Sequence, residues 1–167
     1  MPSLIGIEVP AGLLDRIITF GRSIDRPISD VSIMLIGPNS LENVRGIEQK
    51  LQSFCLGQPE FKVTVGAPVV YDDRVLYLNV QPGAINIARE KLVAKMNIGP
   101  EKIAYRPHVT LIRSTPEYEA DFAPLLERAR RVFREPYTFT AEAVTLYTQP
   151  RPGAGFAPAQ TMPLTGR

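Results

Sequence analysis

Apolar positions switch between a period of two and a period near 3.6 along the chain, and the switches mark the elements. Ser3 to Val9 alternates loosely and reads as a strand, closed by Pro10. Leu13, Leu14, Ile17, Ile18 and Phe20 then recur at helical spacing, with Gly21 as the expected stop. A second strand runs from Asp30 to Ile36 and ends at Gly37-Pro38-Asn39. Ser40 is placed to cap a helix whose buried stripe is Val44, Ile47, Leu51 and Phe54, with Gly57 at its end. Phe61 to Val65, continuing toward Tyr71, and Arg74 to Val80 predict a hairpin turned at Asp72-Asp73. Ile85, Ala88, Leu92 and Met96 predict a helix over 84–96.

A strand follows at His108, and Val109 and Leu111 on it alternate with His108 and Thr110. The two apolar residues therefore face a core, and the two polar ones share the opposite face one pleat apart. Pro107, with no N–H to donate, suits the first position of such a strand. Phe122, Leu125, Leu126, Ala129 and Phe133 predict a helix opened by Pro116, and Tyr137 to Tyr147 predicts a last strand bent near Ala141. The Pro-, Gly- and Ala-rich segment 149–167 reads as an irregular strap or tail. No linker divides the chain, so 1–167 is expected to form one α+β domain.

Composition narrows the chemistry. With 167 residues, 44% of them hydrophobic, the chain can bury one core or two small lobes that share one. A formal net charge of +2 is too small for bulk nucleic-acid binding, so any anion site must be local. A single Cys and a single His exclude a disulfide framework and the ordinary zinc sets. The first residues lack the pattern of a secretory leader, and no stretch has the length of a membrane span. A cytoplasmic protein without metal or cofactor is the expectation.

The one histidine, His108, is a proton-exchanging ring beside the Thr110 hydroxyl, and Arg113 downstream can neutralise an anion. The second strand has the same layout, because Asp30-Val31-Ser32 also ends on a hydroxyl two residues after a titratable side chain. Both strands lie between helical patterns, which suggests two similar lobes whose polar strand faces look into a shared cleft.

These residues resemble the two-histidine phosphoesterase superfamily, which includes the 2′-5′ RNA ligase-like proteins and cyclic nucleotide phosphodiesterases. The likeness is carried by Leu4-Ile5-Gly6-Ile7-Glu8-Val9-Pro10, by Asp30-Val31-Ser32-Ile33-Met34-Leu35-Ile36-Gly37, and by Pro107-His108-Val109-Thr110-Leu111-Ile112-Arg113. The resemblance implies a bilobal, duplicated α+β fold with two antiparallel sheets flanking a central cleft and helices outside. It also implies metal-independent phosphodiester chemistry, in which one histidine takes a proton from the attacking oxygen and the other protonates the leaving oxygen. The two hydroxyls, Ser32 and Thr110, would hold the phosphate.

Where the family has its first histidine, this chain has Asp30. A solvated Asp, with a pKa of about 3.9, is a weak base and no acid at neutral pH. Its charge beside a phosphate costs on the order of 1 to 4 kcal/mol. Two expectations follow: a phosphodiesterase in which His108 is the main acid and base, and an inactive protein that binds nucleotide in the same cleft. Arg113 and Arg106 are the candidate phosphate neutralisers. Tyr71, Tyr77 and Phe156 are candidates for stacking on a base, with Tyr105 behind them. The modest net charge favours a nucleotide or short oligonucleotide, cyclic nucleotides above all, over long nucleic acid.

Overall fold

The computed structural model describes residues 1–28 and 31–167. Among these residues, eight strands form two four-stranded sheets, and every pairing is antiparallel. The first sheet has the order β2-β1-β7-β8, built from β1 (Ser3–Glu8), β2 (Ser32–Ile36), β7 (Ala143–Thr148) and β8 (Ala157–Pro163). The second has the order β5-β4-β3-β6, built from β3 (Phe61–Tyr71), β4 (Val75–Val80), β5 (His108–Arg113) and β6 (Tyr137–Ala141). The helices are α1 (Ala11–Ser23), α2 (Pro38–Leu41), α3 (Ile47–Gly57), α4 (Ala84–Met96) and α5 (Phe122–Val132).

Each long helix forms because its apolar residues return on one face. Leu13, Ile17 and Phe20 of α1 are buried, as are Ile85, Ala88, Leu92 and Met96 of α4. Burying one such large aliphatic side chain contributes about 1.5–3 kcal/mol. Phe20 meets Phe133 edge to face, with ring centroids 5.7 Å apart, and this contact ties α1 to the end of α5. On the sheets, Ile5 and Ile7 of β1, Val63 and Val65 of β3, and Val109 and Leu111 of β5 turn inward. The hairpin joining β3 to β4 turns at Asp72 and Asp73, whose φ values of 53° and 49° are those a two-residue primed turn requires.

Five expectations from the sequence need correction. Gly21 does not stop α1 but lies buried in its last turns, where a Cβ would meet the Arg26 carbonyl at 2.5 Å. The helix expected from Ser40 is two helices, because Gly46 takes the left-handed conformation (φ 67°) and restarts the chain at α3. The helix expected from Pro116 begins only at Phe122. Ahead of it, Thr115 and Tyr118 exchange backbone hydrogen bonds, and the Tyr118 ring lies 3.4 Å beneath the Arg26 guanidinium.

The single last strand is also two, since the chain leaves one sheet at Ala141 and enters the other at Ala143. Segment 149–167, read as a strap or tail, contains the edge strand β8. It is tied down further by Thr165 N–H donating to the Cys55 carbonyl and Gly166 N–H donating to that of Gln58. Among the described residues, no helix is long and apolar enough to cross a membrane.

Candidate functional site

Strands β2 and β5 are edge strands of their sheets, and they lie against each other at the junction of the two lobes. Side chains stitch that junction. The Tyr105 hydroxyl donates to the Met34 carbonyl at 2.8 Å, and Arg89 Nε donates to the Leu35 carbonyl at 3.0 Å. Arg89 also pairs with Glu101, and its guanidinium covers the Tyr105 ring at 4.5 Å. Both carbonyls belong to the edge strand β2, so the clamp ties that strand to α4 and to the segment ahead of β5. It also fixes the strand that carries Ser32 against the strand that carries His108.

On β5, His108 and Thr110 are half-buried while Val109 is fully buried, as the alternation requires. His108 Nδ1 lies 2.8 Å from the Arg106 carbonyl oxygen. A carbonyl only accepts, so Nδ1 carries the proton and donates it, leaving Nε2 of the neutral ring as the atom that can take a proton. Across β4, Asn79 is the register partner of His108 and Tyr77 that of Thr110, so all four share one face. The Tyr77 and His108 rings stand 5.1 Å apart at 57°, which limits the tilt of the imidazole.

The first lobe presents its own polar face. Glu8 is the register partner of Ser32, and Gly6 and Leu4 continue that face of β1 opposite Thr145 and Tyr147 of β7. Thr145 Oγ1 donates to Glu8 Oε1 at 3.4 Å and lies 3.0 Å from Thr161 Oγ1. A cavity of about 420 Å³ opens here, lined by Leu4, Glu8, Ser32, Tyr147, Phe156 and Pro158 among others. Burial, and after it the Glu8 carboxylate, pushes the Tyr147 hydroxyl up to about 12, with the Thr145 hydroxyl opposing.

The residues singled out in the sequence separate into groups. His108, Thr110 and Tyr77 lie together on the second sheet, and Ser32 and Phe156 line the cavity of the first. Arg106 is exposed and serves the site through its carbonyl. Tyr105 commits its hydroxyl and one ring face to the lobe clamp, and burial, ahead of the opposing Arg89 charge, raises its pKa. Arg113 is exposed at the far end of β5, about 16 Å along the strand from His108. Tyr71, 59% exposed, stands at the hairpin tip, at the opposite end of β4 from Asn79. Asp30 lies outside the described residues.

Glu8, Asn79, Thr145 and Tyr147 share these faces without having been singled out. Asn79 could have been found from the alternation of its own strand, where it follows Tyr77 by two residues. Glu8 and Tyr147 come together only through pairing of strands far apart in the chain. Among the described residues, no three His, Cys, Asp or Glu side chains gather as a metal-binding group.

The sequence profile of the 2′-5′ RNA ligase superfamily matches residues 33–153. No curated protein matches the sequence significantly. Among solved structures, TT0787 of Thermus thermophilus superposes with a TM-score of 0.71 at 15% identity, over 99% of each chain. LigT of E. coli in complex with 3′-AMP superposes at 0.65 with 20% identity, over 98% of each chain. A protein described as a phosphoesterase superposes at 0.67 with 19% identity, again over 98% of each. At these identities the likeness establishes a shared fold.

Proposed function

The chain belongs to the 2′-5′ RNA ligase superfamily, and on that premise we propose that it is a metal-independent phosphodiesterase acting on small nucleotides. The substrate class is a 2′,3′-cyclic phosphate, a 2′-5′ linkage or a cyclic (oligo)nucleotide. The observation that carries the reading is the juxtaposition of β2 and β5, which sets Ser32 and Thr110 on the two strands that meet at the lobe junction. LigT has been crystallised with 3′-AMP, NADP+ and ATP, which supports a nucleotide as the ligand of this cleft too.

In this reading His108 Nε2 takes the proton of the attacking water as its oxygen bonds to phosphorus. The same proton then goes to the ribose oxygen as the P–O bond breaks, so one histidine serves in turn as base and acid. The Ser32 and Thr110 hydroxyls hold the non-bridging oxygens, and positioning supplies most of the remaining acceleration. By the sequence resemblance, Asp30 stands where the family has its first histidine. Tyr77 and Phe156 flank the base.

Asp30 favours a second reading, in which the same cleft binds a nucleotide and does not cleave it. One experiment separates the two. A panel of 2′,3′-cyclic nucleotides, 2′-5′ dinucleotides and cyclic dinucleotides is assayed for turnover and binding in EDTA, with the native chain, His108→Ala and Asp30→His. Turnover by the native chain that vanishes in His108→Ala is the expected result. Turnover by Asp30→His alone, with native binding intact, establishes the binder. No turnover and no binding in any of the three refutes both.

A further inference from the structure

The cavity beside Ser32 has a polar lining that phosphodiester chemistry does not use. Tyr147 is 7% exposed, and its hydroxyl, near that of Thr145, is buried without a well-formed hydrogen bond among the described residues. Native proteins seldom leave such a group unsatisfied, because its lost hydration is not repaid. Its ring lies over Gly6, where a Cβ would stand 3.4 Å from the ring and 2.9 Å from the Ile33 carbonyl. The strand therefore needs glycine where the ring crosses it. Beside it, the Glu8 carboxylate is held by Thr145, itself only 1% exposed. Phe156 supplies an aromatic wall, and Ser32 ties this space to the phosphate position of the proposed reaction.

We propose that this cavity is a nucleobase subsite built for guanine, with Glu8 and Tyr147 reading the edge of the base and Phe156 lying against its face. The proposal deepens the functional reading above and rests on it for the identity of the ligand as a nucleotide. A carboxylate accepts only, so the base must turn N–H groups toward Glu8. Guanine offers two adjacent ones, at N1 and N2, which match the two oxygens of a carboxylate. Its O6 stands next to them and accepts from the Tyr147 hydroxyl once that side chain shifts from its buried position toward the base. Adenine and cytosine bring a single amino group beside an unprotonated ring nitrogen, which would face the carboxylate lone pairs. Uracil brings one N–H between two carbonyls. Readout of this kind is worth at least about tenfold in affinity, since the wrong base leaves Glu8 or Tyr147 unpaired.

The test uses the four unphosphorylated ribonucleosides, titrated into the intact protein and followed by NMR, with Glu8→Gln and Tyr147→Phe alongside. Guanosine is expected to bind at least about tenfold tighter than adenosine, cytidine or uridine. Glu8→Gln is expected to erase that preference, and Tyr147→Phe to weaken guanosine several-fold. Because Tyr147→Phe removes only an unsatisfied hydroxyl, it should also raise the melting temperature of the free protein, which shows that the variant is folded.

Equal binding of the four nucleosides, binding of none, or guanosine affinity unchanged in both variants overturns the proposal. Turnover of the cyclic phosphate panel without base preference would leave the phosphodiesterase and remove the subsite. Guanosine binding with the expected variant pattern, but no turnover of any substrate, would leave the subsite and remove the enzyme.

Discussion

Arg89→Met tests whether the lobes are locked by the clamp at β2. Arg89 makes three separable contacts, to the Leu35 carbonyl at 3.0 Å, to Glu101, and over the Tyr105 ring at 4.5 Å. The first is a charge-assisted hydrogen bond to a strand edge, worth about 1.5–3 kcal/mol. The stacked guanidinium adds about 0.5–1 kcal/mol. The ion pair is partly screened, since the Glu101 side chain is 26% exposed, and adds up to about 1 kcal/mol.

Methionine keeps most of the packing volume and none of these, so unfolding in urea should show a loss of about 2–4 kcal/mol with an unchanged slope. Arg89→Lys keeps the charge but presents one compact ammonium to three partners, and should recover less than half of the loss. Turnover should fall in both variants, because Ser32 rides on the strand that Arg89 holds. A loss below about 1 kcal/mol in Arg89→Met, or a lysine variant as stable as the native protein, would refute the clamp.

Three further outcomes follow from the same geometry. Ser32→Ala and Thr110→Val should each lower kcat/KM on a cyclic phosphate by about tenfold or more while circular dichroism stays native, since both residues are half-buried at the lobe junction rather than in the core. Cys55 is buried, and desolvation pushes its thiol up to about 11, so disulfide reagents at pH 8 should label it only after unfolding. The native state keeps a proton that the unfolded chain loses above pH 9. The Cys55 contribution to stability is therefore intact below that pH and declines as pH rises toward 11, which alkaline urea titrations will read. Gly6→Ala should cost about 1–3 kcal/mol in thermal or urea unfolding, because its Cβ would stand 2.9 Å from the Ile33 carbonyl.

What could be read from the sequence follows from where packing is local. Helices α1 and α4, the β3–β4 hairpin and β5 announce themselves, because each buries one periodic face against a single partner surface. The x-Val-hydroxyl pattern of one strand in each half marks Ser32 and Thr110, and the strands that carry them lie side by side in the structure. Three features left no such trace. A chain that alternates through residues 137–147 looks like one strand bent near Ala141, and the alternation does not show that the bend is a crossing between two sheets at Glu142. Strand β8 has only Met162 buried, so the mostly exposed Ala157–Pro163 carries no alternation to detect. Tyr147 reads as one more core residue, and its unpartnered hydroxyl has meaning only once Glu8 has been brought beside it by β1.

The order of strands has a consequence for how the protein comes into being. The second sheet is made of four strands that all fall between Phe61 and Ala141, whereas the first draws β1 and β2 from before them and β7 and β8 from after. During synthesis from the N-terminal end, the sheet that carries His108 can be complete while the other is still a two-stranded fragment. The inner edge of β1 then waits, unpaired, for residues 143–148 to emerge and dock against it. The wall that carries Ser32 is thus the last to be built. The nascent chain holds His108 on a finished sheet well before the facing wall of the cleft exists.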